Sequence, residues 1–267
     1  MRFIQHKTEA RWFYRAVSLG YDRWINPLFW TAEMRDRALT VARLDDPDLQ
    51  VADVGAGTGF TTEGILARIA PQRVTMIDQS PDQLARARAK PALEAVRKEL
   101  GDAEALPLPD DAFDRYVSAG SIEYWPDPQR AIAEAYRILR QGGVATIIGP
   151  LRRTNPVARA LSDAWMLFPS QQEYRGWMEA AGFTDIQEVH VAPTWWRAEW
   201  DPYAVSISGV KPRFGPSPLR LPPAESERSD ERLGPVRLAR FALGSLAGAA
   251  FIPIAAWFSL RERLRRR

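Results

Sequence analysis

Three glycines stand at alternate positions, Gly55, Gly57 and Gly59, directly after the apolar run Val51-Ala-Asp-Val54. Lacking a Cβ, glycines let the chain turn sharply and bring peptide N–H groups close to a ligand. Downstream, Val74-Thr-Met-Ile-Asp78 is a second apolar run, and it ends in a carboxylate that can bind two adjacent ribose hydroxyls. The loop Gly101-Asp-Ala-Glu-Ala-Leu-Pro107 adds another acid, Asp102. A glycine turn, a ribose acid and an adenine-side acid, in that order, describe a site for S-adenosylmethionine (SAM). In this reading Asp78, with Gln79 beside it, takes the ribose. Asp102 and the Ala103 backbone take the adenine amine. Asp53 either orients the methionine end of SAM or braces the glycine loop.

The competing reading is a nicotinamide or flavin site, which also places an acid about 20 residues after its glycines. That fingerprint needs Gly-x-Gly-x-x-Gly or Ala. Counted from Gly55 the sixth position is Phe60, and counted from Gly57 it is Thr62, so neither frame fits.

Candidates for moving a proton are fewer. His6 carries an imidazole, which titrates near neutrality, or it is an ordinary surface histidine. Glu123 and Tyr124 follow the strand whose carboxyl end should face the transferred group, where sites of α/β sheets lie. Either holds a substrate hydroxyl, or merely packs. His190 falls on a late strand and reads as structural. Trp165, Met166, Leu167 and Phe168 suit a lid over an apolar substrate and suit an interior helix equally well.

Composition narrows the chemistry. The chain of 267 residues has no cysteine and two histidines. Disulfides, thiolate zinc sites and cysteine nucleophiles are therefore excluded, as is iron–sulfur radical chemistry, which needs Cys ligands. No metal site is expected. The formal charge of +3 is small, and no basic stripe with interleaved aromatics crosses the glycine-loop region, so no nucleic-acid partner is expected. Met1-Arg-Phe-Ile-Gln-His-Lys7 is charged but is followed by no apolar run of signal-peptide length.

The elements that must position these residues read as an α/β fold. Residues 1–45 form a helical cap rich in aromatics, including Trp12, Phe13, Tyr14, Tyr21, Trp24, Phe29 and Trp30, which either pack on a sheet or line an apolar pocket. Residues 46–211 alternate strands and helices, as a seven-stranded Rossmann-like SAM methyltransferase sheet requires. Ser80-Pro81 and Asp127-Pro128 start helices, with a polar N-cap and Pro at the first position. The second of these carries Ile132, Ala135, Tyr136 and Leu139 at helical spacing and is expected to end at Gly142-Gly143. Val144–Gly149 is a buried strand. Ser170 with Glu173 is a capping box before a helix ending at Gly182. Two late strands, near Ile186–Val191 and Ala204–Val210, complete the sheet.

Residues 212–236, with Pro212, Pro216, Pro218, Pro222, Pro223 and Pro235 among polar residues, are expected to form a disordered linker. Residues 237–267 are expected to form an apolar membrane-anchor helix with an Arg-rich tail. No charge occurs from Phe241 to Leu260, and about 20 apolar residues suffice to span a bilayer. Gly244 and Gly248 form a small-xxx-small pair that can seat a second helix. The tail arginines favour the cytoplasmic side, yet SAM is cytoplasmic too. Either the short tail crosses, or the helix lies in-plane or is re-entrant.

Longer runs carry a specific resemblance. They are Arg2-Phe-Ile-Gln-His-Lys7, Trp12-Phe-Tyr-Arg15, Asp78-Gln-Ser-Pro81, Gly101-Asp-Ala-Glu104, the central run Asp114–Arg130, Trp165–Pro169 and Ser208–Pro212. In these the chain resembles the 2-methyl-6-phytylbenzoquinol and 2-methyl-6-solanesylbenzoquinol methyltransferases of tocopherol and plastoquinone synthesis, the chloroplast inner-envelope type. The likeness covers nearly the whole chain. The linker and the stretch from Trp195 to Pro202 depart from it, and no plastid transit leader is seen. The resemblance implies C-methylation of a prenylated benzoquinol ring, a lipid substrate held in a membrane, and a place for His6 in a matching motif. It implies a catalytic domain on the cytoplasmic side in a prokaryote or the stromal side in a plastid. The alternatives are a methyltransferase for another lipid or a menaquinone-type quinol, and a non-catalytic SAM-fold subunit of a membrane quinone-synthesis complex.

Overall fold

The computed structural model describes residues 26–197, 201–222 and 251–265. Seven strands form one mixed sheet: β1 (Val51–Val54), β2 (Val74–Asp78), β3 (Arg97–Leu100), β4 (Phe113–Ala119), β5 (Leu139–Pro150), β6 (Thr184–Val191) and β7 (Ala204–Val210). Their order is β3-β2-β1-β4-β5-β7-β6. β7 alone runs against its neighbours, paired antiparallel to both β5 and β6. The chain winds outward from β1 to β3 and then returns to β4 on the other side of β1. The loops leaving the carboxyl ends of β1 and β4 therefore diverge and open a crevice, the place where open α/β sheets bind ligands.

The helices are α1 (Asn26–Phe29), α2 (Ala32–Ala38), α3 (Phe60–Ile65), α4 (Pro81–Arg88), α5 (Pro128–Ile138), α6 (Pro156–Trp165), α7 (Gln171–Ala181) and α8 (Phe251–Arg265). One sheet face buries Ala52, Val54, Tyr116 and Ile147 against Ile132 and Tyr136 of α5 and Met178 of α7. The opposite face buries Val51, Met76, Val117 and Ile148 against Met34 and Ala38 of α2 and Ile65 of α3. This is the two-sided covering that parallel strands need.

Local signals act where the sequence puts them. Ser80 and Asp127 accept bonds from the Gln83 and Arg130 amides, with Pro81 and Pro128 at the first helical positions. Ser170 and Glu173 form a reciprocal capping box, and Gly182 closes α7 in the left-handed region at φ 96°. The expected end of α5 is corrected. The helix stops at Ile138, and Leu139 is already extended in β5, paired with Phe113. Gly142 and Gly143 lie within β5, not at a helix end. The cause is tertiary. The buried Lys211 ammonium bonds the Leu139 carbonyl at 2.7 Å and Asp111 at 2.6 Å. The Gly142 amide donates to the Lys211 carbonyl, and the Lys211 amide to that of Gly143.

Of the expected N-terminal cap, residues 26–45 are described; His6 and the aromatics from Trp12 to Trp24 lie outside the described residues. Of the expected linker, residues 212–222 lie against the domain. The Ser217 hydroxyl donates to the Ala181 carbonyl, and Arg130 donates to the carbonyl of Pro222. Gly244 and Gly248 lie outside the described residues. Among the described residues no helix is long and apolar enough to cross a membrane. The described part of the expected anchor is α8, and it packs on the protein body. Ala255 is buried, and Phe258 stacks on Trp195, whose indole N–H donates to the Leu28 carbonyl at 2.8 Å.

Candidate active site

The loop leaving β1 is folded onto the end of β2. The amides of Gly55 and Ala56 both donate to the Ile77 carbonyl, at 2.8 and 3.1 Å. The Gly57 amide donates to Asp78 Oδ2 at 2.8 Å, and the Ser80 amide to Asp78 Oδ1 at 2.8 Å. The third loop joins them, since the Gly101 amide donates to the Asp78 carbonyl at 3.0 Å. The three loops read from sequence are thus one hydrogen-bonded unit at the carboxyl edge of the sheet.

The glycines differ in what they face. A Cβ on Gly55 would sit 2.1 Å from the Ser121 hydroxyl, and one on Gly59 would sit 2.3 Å from Leu93 Cδ1. A Cβ on Gly57 would meet nothing within 4 Å. Gly55 and Gly59 are therefore required by packing within the protein, whereas Gly57 borders open space. That opening lies beside a carboxylate and a turn rich in amides.

Asp102 closes a tight turn. Its Oδ1 accepts from the Glu104 amide at 3.0 Å and its carbonyl from the Ala105 amide at 3.0 Å. Ala103 packs on the core beside it. Glu104, not singled out in the sequence, accepts from the Asp127 amide at 2.8 Å and fixes this loop to the start of α5. Gln79 Oε1 is buried with no hydrogen-bond partner among the described residues. Asp53 is 1% exposed and accepts from the Thr62 hydroxyl at 2.6 Å, which braces α3 on β1. Its Oδ1 has no hydrogen-bond partner among the described residues, and burial lifts its pKa to about 7.

Glu123 and Tyr124 lie on one 3-10 turn, Ile122–Tyr124, after β4. Ser121 begins this turn and lies against Gly55, so the turn adjoins the glycine loop. Its hydroxyl accepts from the Trp125 indole at 3.0 Å. Such a role is invisible in sequence, because only the fold brings Ser121 to Gly55. Glu123 Oε2 is buried without a hydrogen-bond partner among the described residues, and desolvation raises its pKa to about 7. The Glu123 carbonyl accepts from the Leu167 amide at 3.2 Å, so the buried segment Met166-Leu-Phe168 is tied to the same turn. That segment is not interior helix, because α6 ends at Trp165. His190 is exposed on the edge strand β6, with Nε2 3.2 Å from Gln171 Oε1, away from the loops above. His6 cannot be placed, being outside the described residues.

A family profile described as "Methyltransferase domain" matches residues 52–147, which span β1 to β5. The 2-methyl-6-phytyl-1,4-hydroquinone methyltransferase, chloroplastic, of Arabidopsis thaliana is 52% identical over 98% of this chain and 79% of its own length. The corresponding protein 2 of Oryza sativa subsp. japonica is 51% identical over 98% of this chain and 76% of its own. Among solved structures, a methyltransferase bound to the Trm112 activator of Haloferax volcanii shares the fold. Its TM-score is 0.60 at 22% identity, over 79% of this chain and 99% of that one.

Proposed function

From the membership of this chain in the 2-methyl-6-phytyl-1,4-hydroquinone methyltransferase family, we propose that it transfers a methyl group from SAM to a ring carbon of a prenylated benzoquinol. The observation that carries the reading is the likeness over nearly the whole chain to relatives so named; the hydrogen-bonded unit of the glycine loop, Asp78 and Gly101 supports a SAM cradle at this edge of the sheet. When bound, SAM supplies an electrophilic methyl group.

Each residue has a distinct task in this reading. Asp78 holds the ribose hydroxyls, Asp102 and Ala103 the adenine edge, and Gly57 leaves room for the cofactor. Asp53 keeps α3 and the glycine loop in place. Glu123 accepts the phenolic proton. A phenolate pushes electron density onto the ring carbon. As that carbon bonds the methyl group, the methyl–sulfur bond would break and S-adenosylhomocysteine would leave. The ring carbon would lose its hydrogen as a proton, and the proton held on Glu123 would return to the phenolic oxygen, so that one proton leaves for each methyl gained. A carboxylate with a pKa near 7 matches the ideal for general-base work at neutral pH. Tyr124 holds the quinol beside it, and Met166–Phe168 cover the prenyl chain. His6 is a second candidate base on the resemblance alone. Residues 237–267 keep the enzyme at its membrane, with the catalytic domain on the stromal or cytoplasmic side.

The test gives the purified protein SAM labelled in its methyl group and a 2-methyl-6-prenylbenzoquinol, and mass spectrometry locates the label. One methyl on a ring carbon is expected, with the quinol preferred over the quinone, which has no phenol to ionise. An O-methyl ether, or equal turnover of quinol and quinone, would overturn the chemistry. No transfer to any prenylated ring would overturn the substrate.

A further inference from the structure

The segment that follows β7 alternates in burial. From Gly215 to Pro222, Gly215, Ser217, Leu219 and Leu221 are half-buried, while Pro216, Pro218, Arg220 and Pro222 are exposed. A period of two marks an extended chain with one face turned to the protein. Ser217 and Leu221 each precede a proline, which biases them to extended backbone. The prolines also stiffen the free chain, so that docking it costs less conformational entropy.

This strap runs along α5 and α7 from one edge of the sheet to the other. It starts at the amino edge, where the Lys211 amide donates to the Gly143 carbonyl at 2.8 Å and Gln141 Nε2 to the Pro212 carbonyl at 3.2 Å. Midway, the Ser217 hydroxyl donates to the Ala181 carbonyl, at the end of α7, at 2.8 Å. Pro218 Cδ lies 2.7 Å from the place a Cβ on Gly182 would take, and Tyr136 Cε2 of α5 lies 3.3 Å from the same place. At the carboxyl edge Arg130 Nη2, in the first turn of α5, donates to the Pro222 carbonyl at 2.7 Å.

Arg130 joins the strap to the loop Gly101–Pro107. Its side chain is 17% exposed, and its Nε lies 3.4 Å from Asp127 Oδ2. The Asp127 amide in turn donates to Glu104 of that loop. Two further bonds clasp the loop to α5. The Leu106 amide donates to Glu134 Oε2 at 2.8 Å, and Arg137 Nη2 donates to the Leu106 carbonyl at 3.0 Å. The loop that carries Asp102 and Ala103 is therefore backed by α5, and the strap ends on the first turn of α5.

We propose that residues 212–222 are a latch on this loop, with Arg130 as the positioning residue that links docking of the strap to Asp102 and Ala103. The docked strap holds the first turn of α5 against Glu104, and SAM binds the loop in that held form. The coupling is reciprocal: bound SAM holds the strap down by the same factor by which the strap raises SAM affinity. The latch rests on the reading of this loop as the adenine side of a SAM site.

Calorimetry and limited trypsin digestion of the full chain test the latch. Arg220 is an exposed strap residue, and cleavage after it, identified by mass spectrometry, reads the undocked population. SAM should slow that cleavage about fivefold in the unaltered chain. Ser217→Ala, Leu219→Ser and Leu221→Ser together remove a bond and two inward side chains from the strap and alter no residue of α5 or the loop. This variant should be cleaved freely and should bind SAM about fivefold more weakly. Arg130→Ala should weaken SAM to a similar extent, and Arg130→Lys, which keeps a donor, should recover most of the loss. SAM binding of full strength in the freely cleaved strap variant would overturn the latch. Resistance of that variant to cleavage would show that the strap is not held by its inward face, with the same consequence. An Arg130→Ala chain that melts earlier but still shows full slowing of cleavage by SAM would reduce Arg130 to a structural role and overturn the proposal. Absence of SAM binding by the unaltered chain would overturn the cofactor reading and the latch with it, whereas SAM binding indifferent to the strap overturns the latch alone.

Discussion

Asp78 accepts from two backbone amides, those of Gly57 and Ser80, one on each carboxylate oxygen, and is our proposed ligand of the ribose. Its removal therefore loses ligand bonds and loosens the loop that holds them. Asp78→Ala is expected to weaken SAM binding by at least about tenfold, the equivalent of about 1.5–3 kcal/mol for charge-assisted hydrogen bonds. Calorimetric titration reads this directly, and unchanged affinity would remove Asp78 from the site. Glu123 makes a second prediction, with a definite sign. Its folded-state pKa of about 7 exceeds that of an unfolded glutamate, so between about pH 4 and 7 the native state holds the extra proton and stability falls as pH rises. Activity runs the other way, because the base must be ionised. kcat/KM is expected to rise through about pH 7. Glu123→Gln should lower kcat by about 10²–10⁴-fold, flatten that rise, leave SAM affinity in place and raise the Tm at pH 8. A pH–rate profile set beside thermal melts separates a proton acceptor from a merely buried acid, which would change the melts alone.

Among the elements, the glycine loop divides into a packed side, at Gly55 and Gly59, and an open side, at Gly57. Gly59 has φ of 89°, and any Cβ there would overlap Leu93, so Gly59→Ala should destabilise the domain by about 1–3 kcal/mol from strain and overpacking. Gly57 has φ of 56° and open space in front. Gly57→Ala should cost only the left-handed backbone term of about 1–2 kcal/mol, yet weaken SAM binding more than Gly59→Ala does. Melting curves with and without SAM check both. Equal ligand-induced shifts in the two variants would count against Gly57 as the cofactor-facing glycine. The capping signals that were legible in sequence, Ser80, Asp127 and the Ser170–Glu173 box, hold because each needs only the residues of its own first turn. The end of α5 was not legible. Leu139 continues the helical pattern of Ile132 and Tyr136, but its carbonyl is claimed by Lys211, a residue 72 positions away.

Across the whole molecule, Lys211 shows how distant segments are joined. Its side chain is fully buried, bonded to Asp111 and the Leu139 carbonyl, with the ammonium 4.8 Å from the centre of the Tyr136 ring. Lys211→Ala would leave the Asp111 carboxylate without its partner and should destabilise the fold by about 3–5 kcal/mol. Chemical denaturation checks this, and a loss below about 1 kcal/mol would mean the pair carries little. The sequence by itself determined the α/β class, the number of strands, the order of the three loops at the carboxyl edge and the family. These signals are local in sequence: apolar runs, glycines at fixed spacing, acids at strand ends, and long matching motifs. Only the tertiary structure decided that Gly55 is required by Ser121, that Asp53 braces Thr62, and that Glu123 holds a desolvated carboxyl on the turn that Ser121 starts, while His190 is exposed at the sheet edge. It also decided that the apolar stretch near the carboxyl end includes a helix stacked on Trp195. Composition measures how much apolar surface a segment has. Whether that surface is spent on a bilayer or on the protein itself depends on which partner the fold brings within contact.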